Sequence, residues 1–140
     1  MRQTSALIAS VTAPGQNWAM PDSLQNASQA ISDFAESRDW DQFHSVRNLI
    51  LALVGEVGEL AEVLQWKNDS DAAKYLQSQD GKDKITEEVA DVAIYLIRIC
   101  QKLNVDLVQL IAKKIEINES KYPVSLSKGN AKKYTEFDQR

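Results

Sequence analysis

The chain has 140 residues, 44% of apolar type and 26% charged, which is one domain's worth and enough to bury a core without metal or disulfide staples. With 20 acidic against 16 basic residues the net charge is −4, which argues against a nucleic-acid or anionic-membrane binder, since both call for a basic surplus. Cys100 is the single cysteine, so there is no internal disulfide framework. No apolar run is long enough to span a bilayer, and a reducing, cytoplasmic setting is expected.

Residues 1–21 carry Ser, Thr, Gln, Pro and Gly without a clear period and read as a flexible N-terminal tail. Asp22, with Gln25 three residues on, resembles a capping box. Leu24, Ala27, Ile31 and Phe34 then recur at helical spacing and predict a first helix to about Arg38. A break at Asp39-Trp40-Asp41-Gln42 is followed by a second helix over 44–67, rich in Leu, Glu and Ala and free of Pro. A polar stretch with a short helix around 72–77 leads to a third helix over 83–102. Asn104-Val105-Asp106 makes a turn into a fourth helix that runs to about Lys121 and is stopped by Pro123. Residues 124–140 read as a C-terminal arm. The pattern predicts an all-α fold, an antiparallel four-helix bundle over residues 22–123.

Apolar residues nearly encircle the second helix: Leu49, Ile50, Leu51, Leu53, Val54, Val57, Leu60, Val63 and Leu64. A helix that is apolar all round is covered on all sides, so it is expected in a subunit interface. The plainer alternative is a central helix of a monomer. Gly55 and Gly58 are expected to allow close helix packing, and Cys100 to be a small core residue.

At about 100° per residue, Leu49, Ala52, Leu53, Leu60 and Val63 fall within roughly 60° of Glu56. A carboxylate in the middle of an apolar face is costly unless it is paired, protonated or bound to a metal. Glu59 lies one turn on. The third helix repeats the spacing with Glu88 and Asp91, at the edge of a face made by Ile85, Val89, Val92, Leu96 and Ile99, and continues with Tyr95, Arg98 and Lys102. Those cations would answer the charge of a bound polyphosphate. Asn118 interrupts the apolar stripe of the fourth helix, with Tyr122 beside it. Four oxygen ligands suit Mg²⁺ or Mn²⁺ rather than Zn²⁺. His44 is the one histidine, and there is no Gly-rich phosphate loop. The plain alternative makes Glu59, Glu62, Glu87 and Glu88 solvated helix-face charges; Glu56 fits it least.

The spacing Glu56-Val57-Gly58-Glu59 followed by Glu88-Val89-Ala90-Asp91 resembles the ExxE…ExxD signature of the MazG-like all-α nucleoside triphosphate pyrophosphohydrolases. Around it, the text from Arg38 to His44, from Arg47 to Glu62, Leu64-Gln65-Trp66-Lys67, the run from Glu87 to Leu96, Asn118 with Lys121-Tyr122-Pro123, and Lys132-Lys133-Tyr134-Thr135-Glu136 are similar to the dCTP pyrophosphatase branch of that family. The resemblance implies a homotetramer built as a dimer of dimers. It implies Mg²⁺ held by Glu56, Glu59, Glu88 and Asp91, with Mn²⁺ as a substitute. Trp40 and Trp66 would enclose the cytosine, from different subunits. Tyr95, Asn118 and Tyr122 would line the nucleotide pocket, and Lys121 would contact phosphate. The reaction implied is attack of water on the α-phosphorus of dCTP or a 5-modified relative, releasing pyrophosphate, with Glu59, or else Glu56, as base. One position departs: where vertebrate members carry a base-proximal histidine, nine residues before Trp40, this chain has Ile31. That keeps open a broad house-cleaning or dUTP-preferring enzyme. From another class comes a helical oligomer that binds nucleotide or a partner without turnover.

Overall fold

In a computed structural model of the chain, residues 23–137 are described, and among them there are helices and no strand. The tail expected over 1–21 and the capping role expected of Asp22 lie outside the described residues. The N-cap of α1 (Leu24–Glu36) is Ser23, whose hydroxyl accepts from the Asn26 amide at 3.2 Å. The 3₁₀ turn at Trp40–Gln42 follows a left-handed Asp39 (φ 52°). Helix α2 (Val46–Glu62) is shorter at both ends than its apolar pattern suggests. Ser45 caps it through the Asn48 amide at 3.1 Å, and beyond Glu62 the chain tightens into turns as Leu64 and Lys67 donate three residues back.

The polar stretch becomes α3 (Asp69–Tyr75), capped by Asn68. Helix α4 (Gln79–Leu103) begins four residues earlier than expected, because the Ser78 hydroxyl caps the Gly81 amide at 3.1 Å. Gly81 is needed there: a Cβ would stand 2.1 Å from the Tyr75 carbonyl oxygen. Helix α4 ends at Asn104 in the left-handed conformation, and Asp106 caps α5 (Leu107–Lys121). The arm holds one turn of helix, α6 (Val124–Ser127), and a 3₁₀ turn at Tyr134–Glu136.

The frame is the antiparallel pair α2 and α4, with α1 laid on the C-terminal half of α4. Leu49, 1% exposed, with Ala35 and Ile97 forms the buried centre; burying a leucine side chain is worth about 1.5–3 kcal/mol. The predicted inner face of α2 is correct, since Ala52, Leu53, Glu56, Leu60 and Val63 are all half-buried against α4. On α4 the face is turned from the expected one. Ile85, Glu88, Asp91, Val92 and Tyr95 are half-buried, whereas Val89 and Leu96 are exposed. Helix α5 makes no extended packing with α1, α2 or α4, so within one chain it does not complete a four-helix bundle. Gly55 and Gly58 have no atom within 4 Å of where a Cβ would stand, so the close packing expected of them is not made within the chain. Cys100 is half-buried beside α1.

Candidate metal and nucleotide site

Facing turns of α2 and α4 bring Glu56, Glu59 and Glu88 together. One carboxylate oxygen of each lies within 4.8 Å of the others. Asp91 stands outside that set but near enough for its charge to act on both Glu56 and Glu88. Glu56 is held above the usual carboxylate range, first by loss of solvent between the helices, then by Asp91 and Glu59. Glu88 is raised too, by desolvation and then by Glu59, Asp91, Glu56 and Glu87. Desolvation leads the causes that push the Tyr95 phenol up, followed by Glu56 and Asp91, so Tyr95 borders the same cluster. Among the described residues the ion pairs are Lys84–Asp80, Arg98–Asp41 and Lys102–Asp41, and none uses a cluster carboxylate. Converging oxygen ligands without a resident cation fit a hard divalent ion.

The sequence suggests Arg98 and Lys102 as cations for a polyphosphate, but the structure engages both elsewhere. The Arg98 guanidinium meets Asp41 at 2.5 Å and Lys102 meets the second Asp41 oxygen at 2.6 Å. They hold the Asp41 carboxyl below its usual range, Lys102 contributing most. Sequence reading misses this partnership because Asp41 lies 57 residues from Arg98, and only the antiparallel pairing of α2 with α4 joins them.

The other residues singled out, where they make contacts, make them with other partners. Trp40 packs edge-on against Phe34, centroids 5.7 Å apart, and against His44 at 6.1 Å. Trp66, in the turn after α2, is 89% exposed. Asn118, Lys121 and Tyr122 lie at the far end of α5. There Tyr122 meets Tyr134 and Phe137 edge-on, and the Lys121 ammonium sits 5.0 Å from the Tyr134 ring centre. A single chain therefore gathers the carboxylates and Tyr95, while α5 makes no extended packing with α2 or α4.

A family model described as the MazG-like family matches residues 52–137, a stretch that holds all four carboxylates and the end of α5. The chain belongs to the MazG-like family. It is 45% identical to dCTP pyrophosphatase 1 of Mus musculus over 81% of its own length and 67% of that protein's. With the Homo sapiens protein of the same name it shares 42% identity, over 89% of this chain and 74% of the relative. Among solved structures, a pyrophosphatase from Archaeoglobus fulgidus superposes with a TM-score of 0.66 at 34% identity, covering 71% of this chain and 92% of that one. The all-α fold expected from the helical spacing, of the MazG-like type that the resemblance implies, is thus the fold found.

Proposed function

We propose that this chain is a magnesium-dependent pyrophosphohydrolase that converts dCTP and water to dCMP and pyrophosphate. The observation that carries the reading is the unneutralised group of Glu56, Glu59 and Glu88 between α2 and α4, in a chain whose relatives are dCTP pyrophosphatases. Glu56, Glu59, Glu88 and Asp91 hold the ion, for which Mn²⁺ substitutes. Magnesium, when bound, screens the triphosphate charge and orients a water. Glu59, the exposed member of the group, takes the proton as water oxygen bonds to the α-phosphorus and the bond to the pyrophosphate oxygen breaks.

Trp40 and Trp66 stack on the base, Tyr95, Asn118 and Tyr122 line the nucleotide pocket, and Lys121 meets phosphate. In one chain α5 makes no extended packing with α2 or α4, which supports a pocket that closes with residues of another copy. The apolar outer residues of α2 and α5 support assembly. Val54 is 64% exposed, and Ile50, Leu51, Val57, Ile111 and Ile115 are 47–56% exposed; exposed apolar residues gathered in this way mark an interaction surface. The assembly is a homotetramer, a dimer of dimers, and the setting is cytoplasmic. Among the described residues no helix is long and apolar enough to cross a membrane. Residues 22–123 form the catalytic domain, 1–21 a tail and 124–140 an arm.

Pyrophosphate release tests the reading, measured with Mg²⁺ and with EDTA across the common nucleoside triphosphates and 5-methyl-dCTP. Metal-dependent release that favours dCTP is expected. Release without base preference would move the function to general nucleotide house-cleaning, the outcome that Ile31 on α1 favours, because an aliphatic side chain gives a base edge no hydrogen bond. No release from any of them would sink the enzyme reading in favour of a nucleotide-binding oligomer.

A further inference from the structure

Arg98 is the one charged residue among the described residues that is buried, at 5% exposure. All its donor nitrogens have partners. Nε donates to His44 Nδ1 at 3.3 Å, Nη1 to the Gln101 side-chain oxygen at 2.6 Å, and Nη2 to Asp41 at 2.5 Å. Gln101 passes the connection on, donating to the backbone oxygen and the hydroxyl of Ser28 on α1 at 2.7 and 2.8 Å. Lys102 holds the other oxygen of Asp41 at 2.6 Å.

Of the partners on the loop, Asp41 lies within the 3₁₀ turn that carries Trp40 and His44 lies just beyond it, and the His44 ring also packs edge-on against the Trp40 ring. The turn is entered through Asp39 in the left-handed region, a conformation that costs a non-glycine residue about 1 kcal/mol and persists only where the surroundings hold it. Phe34, on α1, closes the other side of Trp40. A planar guanidinium with donors fanned in one plane can grip an imidazole, an amide and a carboxylate at once, which a lysine cannot do. Arg98 and the carboxylates Glu88 and Asp91 ride on the same helix, so Arg98 ties the Trp40 turn to the element that carries two of the cluster carboxylates.

We propose that Arg98 is a positioning residue: through Asp41 and His44 it fixes Trp40 relative to the helix that carries Glu88 and Asp91. The donors of Arg98 are held by protein groups, so its effect on the nucleotide is exerted through Trp40. The inference rests on the reading of Trp40 as a base-stacking residue.

The test uses the full chain and two independent readouts. Steady-state kinetics on dCTP with Mg²⁺ is the first. Arg98→Ala is expected to raise KM about ten- to a hundredfold, the scale on which a misplacement of about an ångström acts, with kcat within about threefold. Asp41→Asn, at an exposed position that leaves the core intact, should do the same, so the test does not depend on whether Arg98→Ala folds. The double variant should be no worse than the worse single, because both cut one connection. Arg98→Lys should recover less than half of the loss on the logarithmic scale.

The second readout is acrylamide quenching of Trp40 fluorescence in a Trp18→Phe, Trp66→Phe background, which needs no turnover. Removing Arg98 or the Asp41 charge should raise the quenching constant about twofold as the indole loosens. Unchanged quenching in folded variants overturns the inference whatever KM does, and a quenching change with unaltered KM overturns the link to binding. If the parent chain releases no pyrophosphate from any nucleotide, the proposed reaction has failed, and quenching still decides whether Arg98 places Trp40.

Discussion

On one turn of α4, Glu88 and Asp91 face Glu56 and Glu59 of α2, and none of the four forms an ion pair among the described residues. Two turns further along the same helix, Arg98 and Lys102 share the single carboxylate of Asp41. The first cluster concentrates charge of one sign, and within it Glu56 and Glu88 are raised toward protonation; the second meets each charge with a partner and depresses the Asp41 carboxyl. Both are local charge patterns on one scaffold. The difference lies in where the counter-charge comes from: the fold supplies it at Asp41, and among the described residues no basic side chain pairs with Glu56. A self-neutralised cluster fixes geometry, while an unneutralised one stores binding energy for a cation.

Three measurements can break or sharpen this contrast, the largest expected effect coming first. Glu56→Gln removes a ligand and should lower metal-dependent pyrophosphate release by about 10²–10³-fold. In the metal-free protein the same change relieves repulsion and should raise the melting temperature. A variant that keeps near-normal turnover would mean that Glu56 holds no ion. Magnesium at about 100 times its Kd should stabilise the parent chain by about 2.7 kcal/mol, read as an upward shift in melting temperature. Glu88→Gln should lose most of that shift and Asp41→Asn should keep it. The reverse ranking would exchange the roles assigned to the two clusters.

The smallest effect, and the one with opposite signs, is the response of the metal-free protein to acid. Burial, and after it the Arg98 charge, holds the His44 imidazole below its ordinary value of 6.5. The unfolded chain therefore takes up that proton first, and stability present above pH 6.5 is lost as the pH falls toward the lower folded value. The cations Arg98 and Lys102 face that proton, and Asp41 is the anion beside it. Glu56 and Glu88 behave oppositely. Their folded values lie above 4.5, so the folded chain takes up protons first, and acidification through those raised values adds stability. Melting curves between pH 7 and pH 5 should show His44→Gln removing a loss and Glu56→Gln with Glu88→Gln removing a gain. If both changes tilt the curve the same way, the contrast between the clusters is wrong.

Much of the site was legible from α2 alone. Glu56 among Leu49, Leu53 and Leu60 could be placed on a wheel because one helix fixes the angle between its own residues, and the half-buried set on α2 agrees with that placement. The inner face of α4 was less legible. Val89 and Leu96 fit an apolar stripe but lie outside, while Glu88, Asp91 and Tyr95 turn inward, since which polar residues a helix buries depends on what its neighbour offers. The helix ends shifted for a similar reason. Ser45 and Ser78 are common residue types that become caps only in an extended conformation before the first turn.

The sequence by itself determined the helical class, the family and the presence of two i, i+3 carboxylate motifs, because each follows from spacing within a single helix or from a continuous motif. Only the tertiary structure decided that Arg98 and Lys102 serve Asp41 rather than a phosphate, that Tyr95 borders the carboxylates, and that α5 leaves its chain's own bundle open. Those outcomes turn on distances between segments far apart in the chain. A periodic pattern states which face of a helix is apolar, but only packing chooses which charge lies within hydrogen-bonding reach of another.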